Sequence, residues 1–147
     1  MTITSDSVGD PERHLPFVRL CRALDELPAA ARDCGRLALI VRRLEHGRRE
    51  TPGQLLLTPE GGVPGDAWGR EADRDPVAQI AVMQADVARL IANGQSLELF
   101  GDSLFLELDL SIGNLPAGSR VRIGGAMLEV TSMPHNGCAK FRARRSE

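Results

Sequence analysis

The sequence predicts a mainly β fold: a closed or nearly closed barrel with one or two helices at its periphery. Two observations support this prediction. Short apolar runs separated by Gly and Pro turns recur along most of the chain, and leucines occupy every second position from Leu104 to Leu110. Short strands joined by tight turns are typical of barrels, because closure removes unpaired strand edges. The 147 residues are enough for one domain with its own core.

The first 34 residues are predicted to form a polar tail and an amphipathic helix. Residues 1–12 contain three acids and no apolar stretch, so we expect a frayed tail rather than a secretory signal. Between Leu15 and Asp33, apolar residues follow the helical spacing of i, i+3, i+4 and i+7. Pro16 suits a first turn and Pro28 is expected to end or kink the helix. Cys21 lies on the apolar stripe and is interpreted as a packing residue.

Residues 35–147 are predicted to form the barrel domain. A β-type run at Leu37–Val41 follows Gly35, and Gln54–Thr58 is predicted as a second short strand. The alternation in Ala78–Met83 is weak, so we expect either a strand there or one long helix that extends through the next segment.

The following elements are predicted from clearer patterns. Ala85–Ala92 has a helical apolar face and is followed by the stop signal Asn93-Gly94. Leu104–Leu110 is predicted to be a half-buried strand. Val121–Thr131 is predicted to be a hairpin that turns at Gly124-Gly125.

Composition excludes several classes of function. The formal net charge is −2, and the aromatic residues are four Phe and one Trp, so neither nucleic-acid nor membrane binding is expected. The longest apolar run has about five residues, far short of a membrane span. Three widely spaced cysteines and no secretory signal indicate a reducing cytoplasm rather than a disulfide framework.

Two segments before the hairpin are candidates for a site. Arg42 and Arg43 begin a basic stretch that is either a solvated face or an anion-binding rim near a pocket. Residues 58–69 contain four glycines, two prolines, Asp66 and the single tryptophan, Trp68. This loop is either a surface loop or one that carries function.

The most informative run is Pro134–Phe141, which contains His135, Cys138 and Lys140. A neighbouring cation favours the thiolate, which is the reactive form of cysteine. Cys138 is therefore either a reactive thiol or, as is common for free cysteines, a small buried apolar residue.

Four fragments in order resemble the MOSC domain, the C-terminal domain of molybdenum-cofactor sulfurases, in its short bacterial form. They are Gly62–Trp68, Gln79–Met83, Leu108–Gly124 and Leu128–Phe141. The resemblance covers roughly residues 35–145 and implies a MOSC-type β-barrel.

The resemblance also implies a site for a molybdenum-pterin cofactor. Cys138 matches the family's cysteine, which is proposed to handle sulfur or to ligate molybdenum, and Gly65 and Asp66 match a loop that lines the pocket. The expected cofactor-binding residues are Gly65, Asp66, Trp68, His135, Lys140 and Arg42. Guanidinium groups suit a phosphate-bearing pterin, and a thiolate suits molybdenum and sulfur.

In two places the chain departs from the family. Ser103 stands where many members have Asn, and only six residues follow Phe141. Relatives usually continue through helical segments, so we expect an open pocket or one completed by a second copy in a homodimer.

Three hypotheses for the function follow from the resemblance. The protein is a molybdenum-cofactor-dependent or sulfur-transfer protein acting through Cys138, a non-catalytic module that binds a pterin or a sulfurated partner, or a degenerate domain kept for oligomerisation. Pyridoxal-phosphate chemistry, known at the family level, is expected only in a sulfur-donor partner.

Overall fold

The computed structural model describes residues 2–3 and 10–132, in which short strands form three separate sheets around two α-helices. The strands are β1 (Thr2–Ile3), β2 (Arg36–Ile40), β3 (Arg42–Arg43), β4 (Arg49–Glu50), β5 (Val82–Gln84), β6 (Leu104–Glu107), β7 (Arg120–Ile123) and β8 (Ala126–Glu129). The helices are α1 (Phe17–Glu26) and α2 (Ala85–Ala92). Neither helix has the length and apolarity needed to cross a bilayer.

The predicted β-barrel is wrong. The sheets have the strand orders β1-β4-β3, β2-β6-β5 and β7-β8, and none of them closes on itself in the described part of the chain. The fold is a small mixed α/β arrangement. In the middle sheet β6 pairs antiparallel with β2 and parallel with β5. Parallel neighbours require a crossover, and α2, which follows β5 directly, provides it.

The core lies where α2 packs on β5 and β6. Its largest members are Phe100 and Phe105, whose rings meet edge to face with centroids 5.9 Å apart. The small residues Ala85, Ala88 and Ala92 supply the buried side of α2. Small side chains on this face allow the helix axis to approach the sheet closely.

Strand β6 is buried more completely than its leucine alternation predicted. Leu104, Phe105 and Leu106 are 2%, 0% and 5% exposed, so both faces of the strand are covered. Helix α2 packs on β6 and covers one of these faces. Alternation therefore located the start of the strand correctly. The strand ends at Glu107 rather than at Leu110, and the expectation of one solvated face was also wrong.

Most of the remaining local predictions are confirmed. Helix α2 has the predicted bounds, and Asn93 ends it in the left-handed conformation, with φ 47°. Strand β2 is confirmed to within one residue, whereas α1 is shorter than predicted and ends before Pro28. The predicted strand Gln54–Thr58 is wrong: apart from one bridge between Thr58 and Gly62, this segment is loop.

The segment Ala78–Met83 is only partly a strand. A short 3-10 helix occupies Pro76–Ala78, and β5 begins at Val82. The alternative of one continuous helix is also wrong, because β5 separates this turn from α2.

The hairpin is confirmed in strands β7 and β8. Its two-residue turn is Gly124-Gly125, and the φ of Gly124 is 58°, as tight hairpin turns require. Beyond the hairpin, the hydroxyl of Thr131 donates to the carbonyl oxygen of Val77 at 2.9 Å. This contact ties the end of the described chain to the turn before β5.

Candidate functional site

A cleft of about 470 Å³ opens beside Trp68, between the loop before it and the loop after it. Small-molecule sites commonly have volumes of about 300–1,000 Å³, so this cleft is large enough for one. Its walls include Pro59, Glu60, Trp68, Arg74, Pro76 and Gln79.

Trp68 is fixed in the cleft wall from both ends. Its backbone N–H donates to the carboxylate of Asp66 at 3.3 Å, which caps the short 3-10 helix Ala67–Arg70. Its indole N–H donates to the carbonyl oxygen of Asp75 at 3.1 Å. The residue is 6% exposed, so the ring forms a rigid apolar wall rather than a mobile surface group.

The other side chains of the cleft supply its charged groups and join its two loops. The guanidinium carbon of Arg74 lies 5.7 Å from the centre of the Trp68 ring, within the range of a cation–π interaction. The side-chain amide of Gln79 donates to the carbonyl oxygen of Pro59 at 2.7 Å and joins the two loops. The exposed carboxylate of Glu60 adds a strong hydrogen-bond acceptor. The cleft thus combines a flat aromatic wall, one cation and one anion.

The carboxylate of Asp66 is buried and is hydrogen-bonded to other groups of the protein. Its carboxylate is 1% exposed and accepts from the backbone N–H of Arg43 at 2.7 Å and from the Arg43 guanidinium, also at 2.7 Å. Burial raises the pKa of Asp66, but the hydrogen bonds and charge of Arg43 and the N–H of Trp68 outweigh it, and the pKa lies below its ordinary value.

Arg43 shows the reciprocal effect. Burial lowers the pKa of Arg43, but the hydrogen bond and charge of Asp66 outweigh burial and raise it. Both groups therefore stay ionised at neutral pH. This ion pair holds the Gly65-Asp66 turn against β3.

Arg42 and Gly65 also make contacts within the protein, Arg42 from strand β3 and Gly65 from the loop before Trp68. The guanidinium of Arg42 pairs with the carboxylate of Glu50. Gly65 has a φ of 83°, which favours glycine, and the carbonyl oxygen of Gly65 accepts from Arg70 at 2.9 Å. A Cβ added at Gly65 would lie 3.6 Å from the Cδ of Arg42. The arginine expected at an anion-binding rim thus forms a cross-strand ion pair between β3 and β4.

The structure therefore brings together some, but not all, of the site residues predicted from the sequence. Gly65, Asp66 and Arg42 lie in one connected group: the loop before Trp68 bonds to β3 through Arg42 and Arg43. None of these three lines the cleft; Trp68 does, and the cap from Asp66 links the group to it.

The cysteine loop cannot be placed relative to this cleft. His135, Cys138 and Lys140 lie outside the described residues. The described chain ends beside the cleft, however, because Thr131 bonds to Val77 and Val77 follows Pro76 in the cleft wall. Within residues 2–3 and 10–132, no group of three or more His, Cys, Asp or Glu side chains is arranged to hold a metal ion.

Sequence reasoning missed Glu60, Arg74 and Gln79. None of these three residues stood out as a site residue in the sequence. The signal that could have pointed to them is the Gly- and Pro-rich loop around Trp68, since scaffolds often display sites on such loops.

Comparisons with protein-family models, with curated protein sequences and with solved structures find no match to this chain.

Proposed function

We propose that the protein binds a pterin-type molybdenum cofactor, or carries sulfur for one, with Cys138 as the reactive thiol. The sequence resemblance around Cys138 supports this proposal, and the MOSC-type barrel is not part of it. The observation that carries it is the hydrogen bond between Thr131 and Val77, which holds Thr131, seven positions before Cys138 in the sequence, beside the Trp68 cleft.

The cleft residues fit the organic part of such a cofactor. Trp68 offers a flat apolar wall, and a guanidinium such as that of Arg74 binds phosphate oxygens. The carboxylate of Glu60 can accept from the paired N–H groups on the edge of an aminopyrimidinone ring. Together these groups suit a planar heterocycle that carries a phosphate.

Cys138, which lies outside the described residues, would supply the thiolate. It follows Thr131 by seven positions. An extended chain of that length spans at most about 25 Å. When bound, the cofactor supplies molybdenum, for which a thiolate is a suitable soft ligand. As a sulfur carrier, the Cys138 thiolate would attack the outer sulfur of a donor protein's persulfide, form a new persulfide and release the donor thiolate. A reducing cytoplasm would suit this chemistry.

The decisive experiment is to purify the full chain from cells that synthesise the molybdenum cofactor. Molybdenum is measured by elemental mass spectrometry, pterin by the fluorescence of its oxidised form, and the Cys138 peptide by its mass. We expect molybdenum with pterin, or the added mass of one sulfur atom on Cys138. Cys138→Ser should lose the sulfur adduct, while Cys34→Ser, at an exposed cysteine, should keep it. Wild-type protein with no metal, pterin or adduct would contradict the proposal.

Trp68 allows a separate test of the cleft. As the single tryptophan it reports ligand binding directly, so titration with a phosphorylated pterin should quench its fluorescence. Arg74→Ala and Glu60→Gln should each weaken binding, since each removes one charged contact. Arg48→Ala, at an exposed residue outside the cleft, is the matched control. A wild-type titration without quenching would remove the cleft from the proposal.

A non-catalytic binding module is the second candidate. It is favoured by the ion pairs of Asp66 with Arg43 and of Arg42 with Glu50, which occupy these charged groups within the protein. The same purification separates the two functions. Full molybdenum and pterin content in Cys138→Ser, with no sulfur adduct in the wild type, would indicate the binding module.

A further inference from the structure

A second cavity, of about 400 Å³, is lined by the loop before β2, by β2 and β6 and by helix α2. Among the described residues it shares no lining residue with the Trp68 cleft. Its charged side chains are Arg36, Asp86, Arg89 and Glu107, and the loop before β2 contributes small residues. The volume lies within the range of small-molecule sites.

Two guanidinium groups share one carboxylate in this wall. Arg36, which is paired with Glu107 across β2 and β6, donates to both of its carboxylate oxygens at 3.0 Å. Arg89 donates to the same carboxylate from α2 at 3.5 Å. The hydrogen bond from Arg36 holds the pKa of Glu107 below its ordinary value, so the carboxylate is ionised at neutral pH. One carboxylate cannot neutralise two guanidinium groups, and each guanidinium has five N–H donors, so donors remain for a second anion.

Asp86 adds the opposite charge to the same wall. It precedes Arg89 by three positions on α2, so the two residues lie on one face of the helix, one turn apart. The carboxylate of Asp86 accepts from the adjacent backbone N–H of Val87, and no ion pair in the described part of the chain involves it. The cavity therefore presents an uncompensated positive charge and an unpaired negative charge side by side.

We propose that this cavity binds a free α-amino acid with an apolar side chain. The α-carboxylate accepts from the remaining N–H donors of Arg36 and Arg89, and the α-ammonium donates to the carboxylate of Asp86. The side chain of the ligand occupies the space beside the small residues of the loop before β2. A ligand with only one charge leaves one charged group of the wall without a partner, so the site favours a zwitterion over a simple amine or carboxylate. This site is separate from Cys138 and from the Trp68 cleft.

Cys34 reports directly on whether the cavity is occupied, because its exposed thiol lies in the wall and can be alkylated by iodoacetamide. The probe is L-leucine, compared with isoamylamine and isocaproate, which carry the same side chain with only one of the two charges. We expect L-leucine to slow the alkylation of Cys34 in the full chain, as measured by peptide mass spectrometry. Each analogue should protect Cys34 less at the same concentration. Alkylation of Cys138 in the same sample is the internal control and should not change.

Two variants test which group binds which charge. Asp86→Asn and Arg89→Gln should each raise the dissociation constant for L-leucine about tenfold, as expected when one charge-assisted hydrogen bond is lost. In Asp86→Asn, L-leucine should also lose its advantage over isocaproate, a change in selectivity that a general loss of structure would not produce. Asp73→Asn and Arg48→Gln, at exposed positions outside the cavity, are the matched controls.

Each protection is compared with the same variant without ligand, so that a change in the intrinsic reactivity of Cys34 does not affect the result. Circular dichroism establishes that each variant is folded. Three outcomes would overturn the proposal: no protection by L-leucine up to its solubility limit, equal protection by L-leucine and either analogue, and protection that both cavity variants leave unchanged. Equal slowing at Cys34 and Cys138 would also contradict it, because the effect would then not depend on the cavity.

Discussion

The Arg43 guanidinium and the Asp66 carboxylate, 23 positions apart in the chain, meet at 2.7 Å and join β3 to the loop that carries Trp68. The backbone N–H of Arg43 also donates to Asp66, so the carboxylate is held by the strand as well as by the side chain. Asp66 in turn caps the helical turn of Trp68. The buried carboxylate of Asp66 therefore helps to fix the position of the cleft wall.

Removal of this carboxylate should destabilise the protein. We expect Asp66→Ala to lower the free energy of unfolding by about 2–3 kcal/mol, since it leaves the partly buried Arg43 without its ion partner. Asp66→Asn should cost less, because the amide oxygen can still cap Trp68. Urea unfolding measures both. Asp73→Asn, at an exposed carboxylate, should stay within about 0.5 kcal/mol of wild type. Equal effects at the two positions would contradict the role of Asp66.

The same pair predicts how stability depends on pH. Because the pKa of Asp66 is lowered by folding, its stabilisation is complete above the ordinary value of 3.8 and is lost as the pH falls through the lower folded-state pKa. Asp66→Asn should therefore lose less stability than wild type between about pH 5 and pH 2. Unfolding curves across this range test the difference in slope. Parallel curves for the two proteins would show that Asp66 does not contribute.

Three glycines should respond differently to substitution by alanine. At Gly35 a Cβ would lie 1.9 Å from the carbonyl oxygen of Glu107, so Gly35→Ala must separate β2 from β6 and should cost about 2 kcal/mol or more. Gly65→Ala places alanine at positive φ and should cost about 1 kcal/mol. Gly53→Ala meets nothing within 4 Å and should be near neutral. Thermal unfolding of the three variants gives the order of their stabilities. A loss of stability in Gly53→Ala as large as that in Gly35→Ala would refute the predicted order.

Loss of the contact between Arg74 and Trp68 should change the tryptophan fluorescence and slightly lower the free energy of unfolding. Arg74→Ala should shift the emission of the single tryptophan, because its charged neighbour is replaced by solvent. The free energy of unfolding should fall by about 0.5 kcal/mol, as expected for an exposed cation–π pair. Arg48→Ala should change neither property. Emission identical to wild type in Arg74→Ala would show that the guanidinium does not lie over the ring.

Local structure was predictable where the chain carries its own signals. Helix α2 follows from its apolar spacing and from Asn93-Gly94, and the hairpin follows from Gly124-Gly125. These signals depend on side-chain periodicity and backbone conformation within a few residues, which the sequence contains in full.

The candidate site was predictable only in part. The loop of Trp68 stood out by its glycines, its prolines and its single tryptophan. The pairing of Asp66 with Arg43 did not, because nothing in the spacing of two residues 23 positions apart shows that they meet. For the same reason Glu60 and Gln79 gave no signal before the two loops were seen side by side.

By itself, the sequence determined the places of α2, β2, the start of β6 and the hairpin, whereas the reactive thiol at Cys138 stays a prediction. Only the tertiary structure decided that these elements form an α/β arrangement rather than a barrel. The reason is that strand patterns record which side chains are apolar and not which strand pairs with which. The parallel pairing of β5 with β6, and the helix that must then cross over the sheet, depend on contacts between distant segments.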